Sequence, residues 1–551
     1  MDGSAIAHSD DPECPSMEIP LDPELVRGVP LHHCLRGLGH HWRRQSAGAD
    51  LDLSQKTEHI DYFLSHDWET SRLLKWMTLL VMFNAPAAAV VTLIVTGVMI
   101  PFSVFGFIPY QLVLWQPLVG HLSYLIMLLI WQDLRRLCRK PLLVFLDKLC
   151  IAQRDLYLKE RGIRGLGSFL KCSRSLTILW SPRYFSSLWC CYEVASYLKD
   201  ESHASGKAKP IELIPVTMAG MLLIASLMAS MWLLALCCLM SFGSIASELL
   251  QDRVLFELFG KGNIFVPFAT YLALGYTSLF ELPEHLSEFR VQETRCFCCS
   301  NQHRHPFSDE ELPCDRELVF ATLQKWFGSA PEGEEDEEYL DRFNLLVQEK
   351  LSSRMSSTVG RGLPPLRHVL STVCVAPVPF YSVFVTIWLW ELMHGEEEEE
   401  EMESSLRWTE NLLELLGPPL YGILSLLAMV LLCRLVFLAR KRLGLPSRIR
   451  WLTRVLLSLL LSPLLALVLS FAVWDPLFVV EDHPLLSLVL FFVYLFVALG
   501  TFCLPSFSST GPWWPRSKSA RGKEEPSSTL VHEVPNMSIL EEEDEYVSEY
   551  F

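Results

Sequence analysis

Six cysteine and histidine residues lie close together in the middle of the chain, in the stretch RCFCCSNQHRHPFSDEELPCDREL. Thiolates and imidazoles at such short spacings suit tetrahedral Zn(II), so a structural zinc site is one interpretation of this stretch. Paired Cys-x-x-Cys knuckles are absent, which leaves a second interpretation open: reduced cysteines beside a membrane, some of them acylated. The candidate metal ligands are Cys296, Cys298, Cys299, His303, His305 and Cys314.

A second group of polar residues follows short apolar runs that are typical of strands. DYFLSHDW at residues 61–68 and PLLVFLD at residues 141–147 each end in polar side chains, and SLTILWS at residues 175–181 is a third run. The stretch FSSLWCCYEVASYL at residues 185–198 has helical spacing, with apolar residues toward one side. Strands that alternate with helices predict an α/β domain built on a parallel sheet.

These stretches, taken in order, resemble the Toll/interleukin-1 receptor (TIR) domain family. DYFLSH is similar to the family's first strand, and SPRYFSSLWCCYE is similar to its Trp-Cys helix. The resemblance covers about a fifth of the chain. The resemblance implies a flavodoxin-like parallel sheet and self-association through the domain. Because some members of the family cleave NAD+, it also implies NAD+ as a possible substrate.

Some TIR domains cleave NAD+ between nicotinamide and ribose, and the resemblance implies that their essential glutamate corresponds to Glu193. A carboxylate at the ribose would bind its hydroxyls and stabilise the oxocarbenium-like charge of the transition state. Open α/β sheets bind ligands at the carboxyl ends of their strands. The candidate NAD+-binding residues are Ser65, His66, Asp67, Asp147 and Trp189, although core packing is the more ordinary role for a tryptophan on this helix.

Three function classes stay open. Many TIR domains act only as scaffolds, and the sequence favours a membrane-anchored signalling or self-association module. NAD+ nucleosidase activity at Glu193 is the catalytic alternative. If Glu193 has no catalytic role, we expect its side chain to be solvated or paired with a cation such as Arg183 or Lys199. Channel or transport activity is the third class. The apolar runs nearly lack ionisable residues, with His121 the main interior candidate, which argues against ion-coupled transport.

Long apolar runs predict an integral membrane protein. The chain has 551 residues, of which 50% are hydrophobic, and its mean hydropathy is +0.27. A transmembrane helix needs about 20 mostly apolar residues. About eight runs qualify, which predicts an α-helical multi-pass protein: 77–100, 107–131, 213–240, 263–281, 369–392, 415–438, 452–473 and 485–505.

Basic residues in short loops predict the orientation. Residues 133–140 and 434–454 are strongly basic and fall on one side of an eight-span arrangement, whereas the opposite loops include the six glutamates of residues 396–401. We therefore expect both termini and the α/β domain in the cytoplasm, in a membrane that the sequence does not identify. Basic residues beside spans are explained by orientation and do not predict nucleic-acid binding. Disulfides are not expected, because no cysteine falls in a predicted outside loop.

The predicted α/β domain is split by the membrane. Residues 51–76 supply its first part, a two-span hairpin follows at 77–131, and residues 132–212 supply the remainder. Because an even number of crossings returns the chain to the same side, the two parts can meet. KPIELIPV resembles the family's last strand and leads directly into the third span, so the usual closing helix must be missing or replaced by membrane helix.

The remaining segments are predicted to serve as flexible ends, spans and a second cytoplasmic unit. The paired histidines of LHHCLRGLGHHW in the flexible N-terminal segment are expected to be solvated. Amphipathic spacing predicts two helices, CDRELVFATLQKWF and YLDRFNLLVQEKL. The predicted segments are residues 1–50 (flexible), 213–281 (two spans), 282–368 (cytoplasmic, with the cysteines and histidines), 369–505 (four spans) and 506–551 (a disordered acidic tail).

Overall fold

In a computed structural model, the described part of the chain is mostly helical and contains one six-stranded mixed sheet. Three of its helices are long and apolar enough to cross a membrane, by length and composition. The described residues are 21–43, 51–108, 115–203, 210–241, 282–304, 314–328, 338–358, 365–394 and 489–496, together with Leu420 and Leu424.

The sheet has the strand order β2-β1-β4-β3-β5-β6. Four of the six strands, β4, β3, β5 and β6, run parallel, as the alternation of strands and helices predicted. The sheet as a whole is mixed, because β1 pairs antiparallel with both β2 and β4. The strands are β1 (Arg27–Pro30), β2 (Gln55–Lys56), β3 (Ile60–His66), β4 (Leu143–Phe145), β5 (Ser173–Trp180) and β6 (Ile211–Pro215).

The N-terminal segment contributes to this fold, so the flexibility predicted for residues 1–50 is wrong for residues 21–43. Val29 of β1 lies opposite Val144, and helix α1 (Leu31–Gly39) follows directly. The apolar residues of this helix are separated by Arg, Gly and His, so the sequence shows no clear helical spacing of apolar residues. His32, expected to be solvated, is buried, and burial lowers its pKa to about 4.

The connection from β3 to β4 runs through two long apolar helices, at the place of the predicted hairpin. The first is continuous from Arg72 to Val104 and contains a π-helical turn at Leu80–Asn84. The turn precedes Pro86, which has no amide hydrogen to donate to the preceding turn. The elements of this connection are α2 (Arg72–Leu79), α3 (Ala85–Val104) and α4 (Trp115–Cys138).

Strand β6 leads directly into α9 (Val216–Ser241), as KPIELIPV predicted, and Val216–Ala235 of this helix is the third candidate span. Between β4 and β6 the chain forms α5 (Asp147–Cys150), α6 (Leu156–Arg164), α7 (Leu166–Cys172) and α8 (Leu188–His203).

The predicted spans at 263–281, 415–438 and 452–473 lie outside the described residues, apart from Leu420 and Leu424. So do the tail at 506–551 and most of the span at 485–505.

The segment after α9 covers α8 and shares one hydrophobic core with the sheet. The Phe289 ring lies 5.3 Å from that of Phe185, and the Trp326 ring lies 5.6 Å from that of Tyr192. Both predicted amphipathic helices are present. The helices of this part are α10 (Leu282–Ser287), α11 (Phe297–Ser300), α12 (Asp315–Phe327), α13 (Tyr339–Thr358), α14 (Leu366–Ser371) and the apolar α15 (Val378–His394).

Candidate functional site

Glu193 lies against the end of the central strand β3, where the sequence placed the candidate site. Helix α8 brings its carboxyl group to Ser65, whose hydroxyl donates a short hydrogen bond to Oε2. The same Ser65 Oγ lies 2.5 Å from the hydroxyl of Tyr184. Ser65 and Tyr184 are buried and Glu193 is partly buried. The carboxyl group therefore lies at the edge where open α/β sheets bind ligands, and the Ser65 hydroxyl already bonds to it.

Burial keeps this carboxyl group mostly protonated near neutral pH. Desolvation raises the pKa of Glu193 from 4.5 to about 8, the Ser65 hydrogen bond partly opposes that rise, and the charge of Asp147 adds to it. Burial also raises the pKa of Tyr184 well above its ordinary value. A neutral carboxyl group forms hydrogen bonds, but it lacks the charge that would stabilise an oxocarbenium-like transition state.

Asp147 is held by donors from two neighbouring residues. The indole Nε1 of Trp68 donates to Asp147 Oδ2 at 2.9 Å, and the amide of Lys148 donates to Oδ1 at 2.7 Å. Desolvation raises the pKa of Asp147 in spite of these bonds. The side chain is thus buried and satisfied within the protein.

His66 and Asp67, the other candidates on this edge, both contact neighbouring side chains, although the buried Nε2 of His66 has no hydrogen-bond partner among the described residues. The His66 ring meets Trp42 and Trp68 edge-on, at 4.9 Å and 4.6 Å between ring centroids. Burial lowers the pKa of His66 well below its ordinary value, so the ring is neutral. Asp67 accepts a hydrogen bond of 2.8 Å from the Thr70 hydroxyl, which fixes the loop after β3.

Lys75 belongs to the same neighbourhood, and the sequence analysis missed it. Its Nζ lies 5.3 Å from the Trp68 ring centroid and 5.7 Å from that of Trp42. It has no hydrogen-bond partner among the described residues, and the charges of Asp67 and Asp147 act on it. The available signal was a single lysine in the first turns of an otherwise apolar helix, where a buried charge needs neighbours that offset it.

Trp189, the last candidate NAD+-binding residue, contacts a different part of the chain. Its indole Nε1 donates to Asp315 Oδ2 at 3.2 Å, so the ring is docked on the segment that covers α8. Among the described residues, the two cations considered as partners of Glu193 contact other side chains: Arg183 pairs with Glu69, and the Lys199 ammonium lies 4.7 Å from the Trp326 ring centroid.

Four of the six predicted metal ligands come together. The Sγ atoms of Cys296, Cys298, Cys299 and Cys314 all lie within 4.8 Å of one another, a group that could hold a metal ion. The separations are 2.9 Å for Cys296–Cys298, 3.4 Å for Cys296–Cys299 and 3.7 Å for Cys299–Cys314. His303 is exposed and stands outside this group, while His305 lies outside the described residues.

Some polar side chains between the apolar helices bond to one another, whereas the buried Nε2 of His121 has no hydrogen-bond partner among the described residues. Gln116 Nε2 donates to Ser103 Oγ at 2.8 Å and to Thr386 Oγ1 at 3.2 Å, which joins α3, α4 and α15. Such bonds hold apolar helices together in a bilayer. A Cβ atom added at Gly120 would lie 2.6 Å from Cβ of Pro379, so this glycine allows α4 and α15 to approach closely.

No family model matches this chain, and no curated protein or solved structure matches it either. The resemblance to TIR domains therefore rests on the residues quoted in the sequence analysis.

Proposed function

We propose that this protein is a multi-pass membrane protein whose α/β domain is a TIR-like signalling or self-association module without catalytic activity. The observation that carries the proposal is the state of Glu193. Its carboxyl group is hydrogen bonded to Ser65, and burial raises its pKa to about 8. Trp189, a candidate NAD+-binding residue on the same helix, is hydrogen bonded to Asp315.

The order of the parallel strands supports the TIR-like part of the proposal. In chain order, the second parallel strand lies beside the first, and the third and fourth follow on the other side. This is the beginning of the flavodoxin-like order. The crossover between the first two of these strands contains two of the three candidate spans, and the fourth strand enters the last. A domain that is connected to membrane helices at two points can pass a change in its own position, or in its association with another copy, to those helices.

NAD+ cleavage at Glu193 is the second candidate, and one feature favours it. Glu193 combines burial with a raised pKa at the carboxyl end of a parallel sheet, and such groups mark functional sites. If the carboxylate stabilises the transition state, activity must rise with pH through about 8, since that is where Glu193 ionises. Nicotinamide release measured across this range tests this candidate.

Transport is the least supported of the three functions. The polar groups at Gln116, Ser103 and Thr386 bond to one another. These contacts are suited to a rigid bundle that carries the domain, in which the helices act as an anchor.

Self-association of the full-length protein in lipid nanodiscs and native membranes tests the proposal directly. We expect single-molecule photobleaching of a fluorescent fusion to show oligomers in wild type and in Glu193→Gln. Leu179→Asp should abolish them, because Leu179 is 1% exposed in β5 between His66 and Ile214. Leu179→Met is the matched control, since a volume-conserving apolar substitution leaves the sheet intact. A monomeric wild type, or oligomers that require Glu193, would overturn the proposal.

A further inference from the structure

We propose that Cys296, Cys298, Cys299 and Cys314 bind one Zn(II) ion, and that this site clamps the segment after α9 onto the beginning of α8. The proposal is independent of whether the α/β domain is a scaffold or an enzyme. It assigns a ligand to four thiols and a mechanical role to the ion that they bind.

Two of the three separations between the sulfur atoms are close to those of a tetrahedral thiolate site, and the third is shorter. Four sulfurs placed about 2.3 Å from a central zinc lie about 3.8 Å apart. The separations of 3.4 Å and 3.7 Å to Cys299 are close to that value. The shortest separation, 2.9 Å between Cys296 and Cys298, is far from a disulfide bond of about 2.0 Å. All four cysteines are free thiols.

The chain makes a tight turn directly after the first three cysteines. The carbonyl of Cys298 accepts hydrogen bonds from the amides of Asn301, at 3.0 Å, and His303, at 2.8 Å. Gln302 and His303 both have a φ of 58°, in the left-handed region that residues other than glycine adopt rarely. Such backbone strain persists only where the surroundings hold it, and a bound ion would supply that restraint.

Thiolate coordination also suits the charges in the neighbourhood. Zinc with four thiolates carries a net negative charge, which requires nearby donors or cations when it is partly buried. Arg316, two residues after Cys314, donates to the carbonyls of Gln292, at 2.8 Å, and Thr294. This guanidinium joins the two pieces of chain that supply the ligands, and it bonds to two residues that precede Cys296.

The residues adjacent to the ligands hold the first turn of α8. Arg295, which precedes Cys296, forms a parallel bridge with Ser187; its amide donates to the Ser186 carbonyl at 2.9 Å. Its carbonyl accepts from the Leu188 amide at 3.1 Å, which satisfies one of the free amides at the start of the helix. Asp315, which follows Cys314, accepts the hydrogen bond from Trp189.

The ion would therefore connect two chain segments that both contact residues 186–189. Without it, each of the two contacts with α8 depends on its own hydrogen bond. With it, loss of one contact does not release the other. The clamp lies one helical turn before Glu193, so it fixes the register in which α8 presents that residue to β3.

Metal analysis of the full-length protein, purified in nanodiscs under reducing conditions, tests the site. We expect one zinc per chain, and exchange with Co(II) should give the sulfur-to-cobalt charge-transfer band and visible bands of a tetrahedral thiolate site. Cys314→Ser and Cys298→Ser should each lose the metal. Cys34→Ser is the matched control, because Cys34 is a fully buried thiol outside the cluster, and it should keep the metal.

Hydrogen–deuterium exchange with and without a zinc chelator tests the clamp and does not depend on any variant folding. Chelation should raise exchange at least about tenfold in residues 295–304, 314–320 and 186–192, and leave β3 and β5 unchanged. Folded protein that neither contains nor takes up metal overturns the site, as does a disulfide or an acyl group found on these cysteines by mass spectrometry. Metal loss without increased exchange at residues 186–192 overturns the clamp.

Discussion

Helix α8 touches two groups of reactive side chains, and the two groups differ in how they are satisfied. Around Glu193, hydroxyls and a carboxyl group bond to one another, with Ser65 between Tyr184 and the carboxyl group. At the cysteine cluster, four thiols converge with only weak sulfur contacts between them. A polar group that is satisfied within the protein needs no ligand, whereas ligand atoms that converge without other strong partners call for one. The comparison favours a structural Glu193 and a metal-binding cysteine cluster.

Removal of the metal has the largest expected effect. Because structural zinc contributes folding free energy directly, chelation or Cys314→Ser should lower the thermal unfolding midpoint of the cytoplasmic part by about 10 °C. Differential scanning fluorimetry in nanodiscs measures this shift, with Cys34→Ser as the control. An unfolding midpoint that does not change with a chelator would show that the cysteine cluster, like the side chains around Glu193, is stable without a ligand.

Glu193→Gln should flatten the dependence of stability on pH. The folded pKa of about 8 lies above the ordinary 4.5, so the folded state binds an extra proton between these values and wild type loses stability as pH rises. Since each pKa unit corresponds to about 1.4 kcal/mol, wild type should lose about 2–3 kcal/mol more than the variant between about pH 6 and pH 9. Thermal unfolding of both proteins across this range measures the difference. Equal slopes would show that Glu193 ionises normally.

Trp189→Phe should loosen the contact between the two groups without disturbing either. It removes the indole donor to Asp315 and keeps an aromatic ring, which should cost about 1–2 kcal/mol. Exchange should increase at the start of α8 and of α12, while zinc content stays at one per chain. Asp315→Asn retains an acceptor and serves as the control. Metal loss in Trp189→Phe would mean that the indole contact holds the cluster, the reverse of the proposed order.

Tyr184→Phe should have the smallest effect. It removes one hydroxyl from Ser65 but leaves the bond from Ser65 to Glu193, so we expect a loss of about 1 kcal/mol or less. The pH dependence of stability should keep its direction, which a comparison with Glu193→Gln checks. A loss as large as that of Trp189→Phe would show that the Glu193 group is held more tightly than its contacts suggest.

The sequence predicted those parts of the fold that depend on local patterns. DYFLSH and SLTILW became the paired strands β3 and β5, and Ser65 and Glu193 met where the ends of parallel strands bring residues together. β1 escaped detection because RGVP is four residues long and its burial depends on pairing with β4. Three apolar helices of spanning length are present in the described part of the chain.

The sequence could not predict which candidate site residues already have partners within the protein. Trp189 binds Asp315, a residue 126 positions away, so no local spacing signals that contact. The same limit applies to Cys314, which joins the first three cysteines only through the packing of α12 on α8. His303 shared their short spacing, but the turn at Gln302 leaves it exposed. Spacing therefore identified candidates, and tertiary packing selected among them.

Nicotinamide release from NAD+ tests the central claim, that Glu193 has a structural role in an assembly module. The assay uses full-length protein in nanodiscs, beside Glu193→Gln, from about pH 6 to pH 9 and at several protein concentrations, with exchange protection of β3 and β5 confirming the fold. We predict no release from either protein at any pH. Release by wild type that rises with pH through about 8 and disappears in Glu193→Gln would contradict the account and establish an NAD+ nucleosidase.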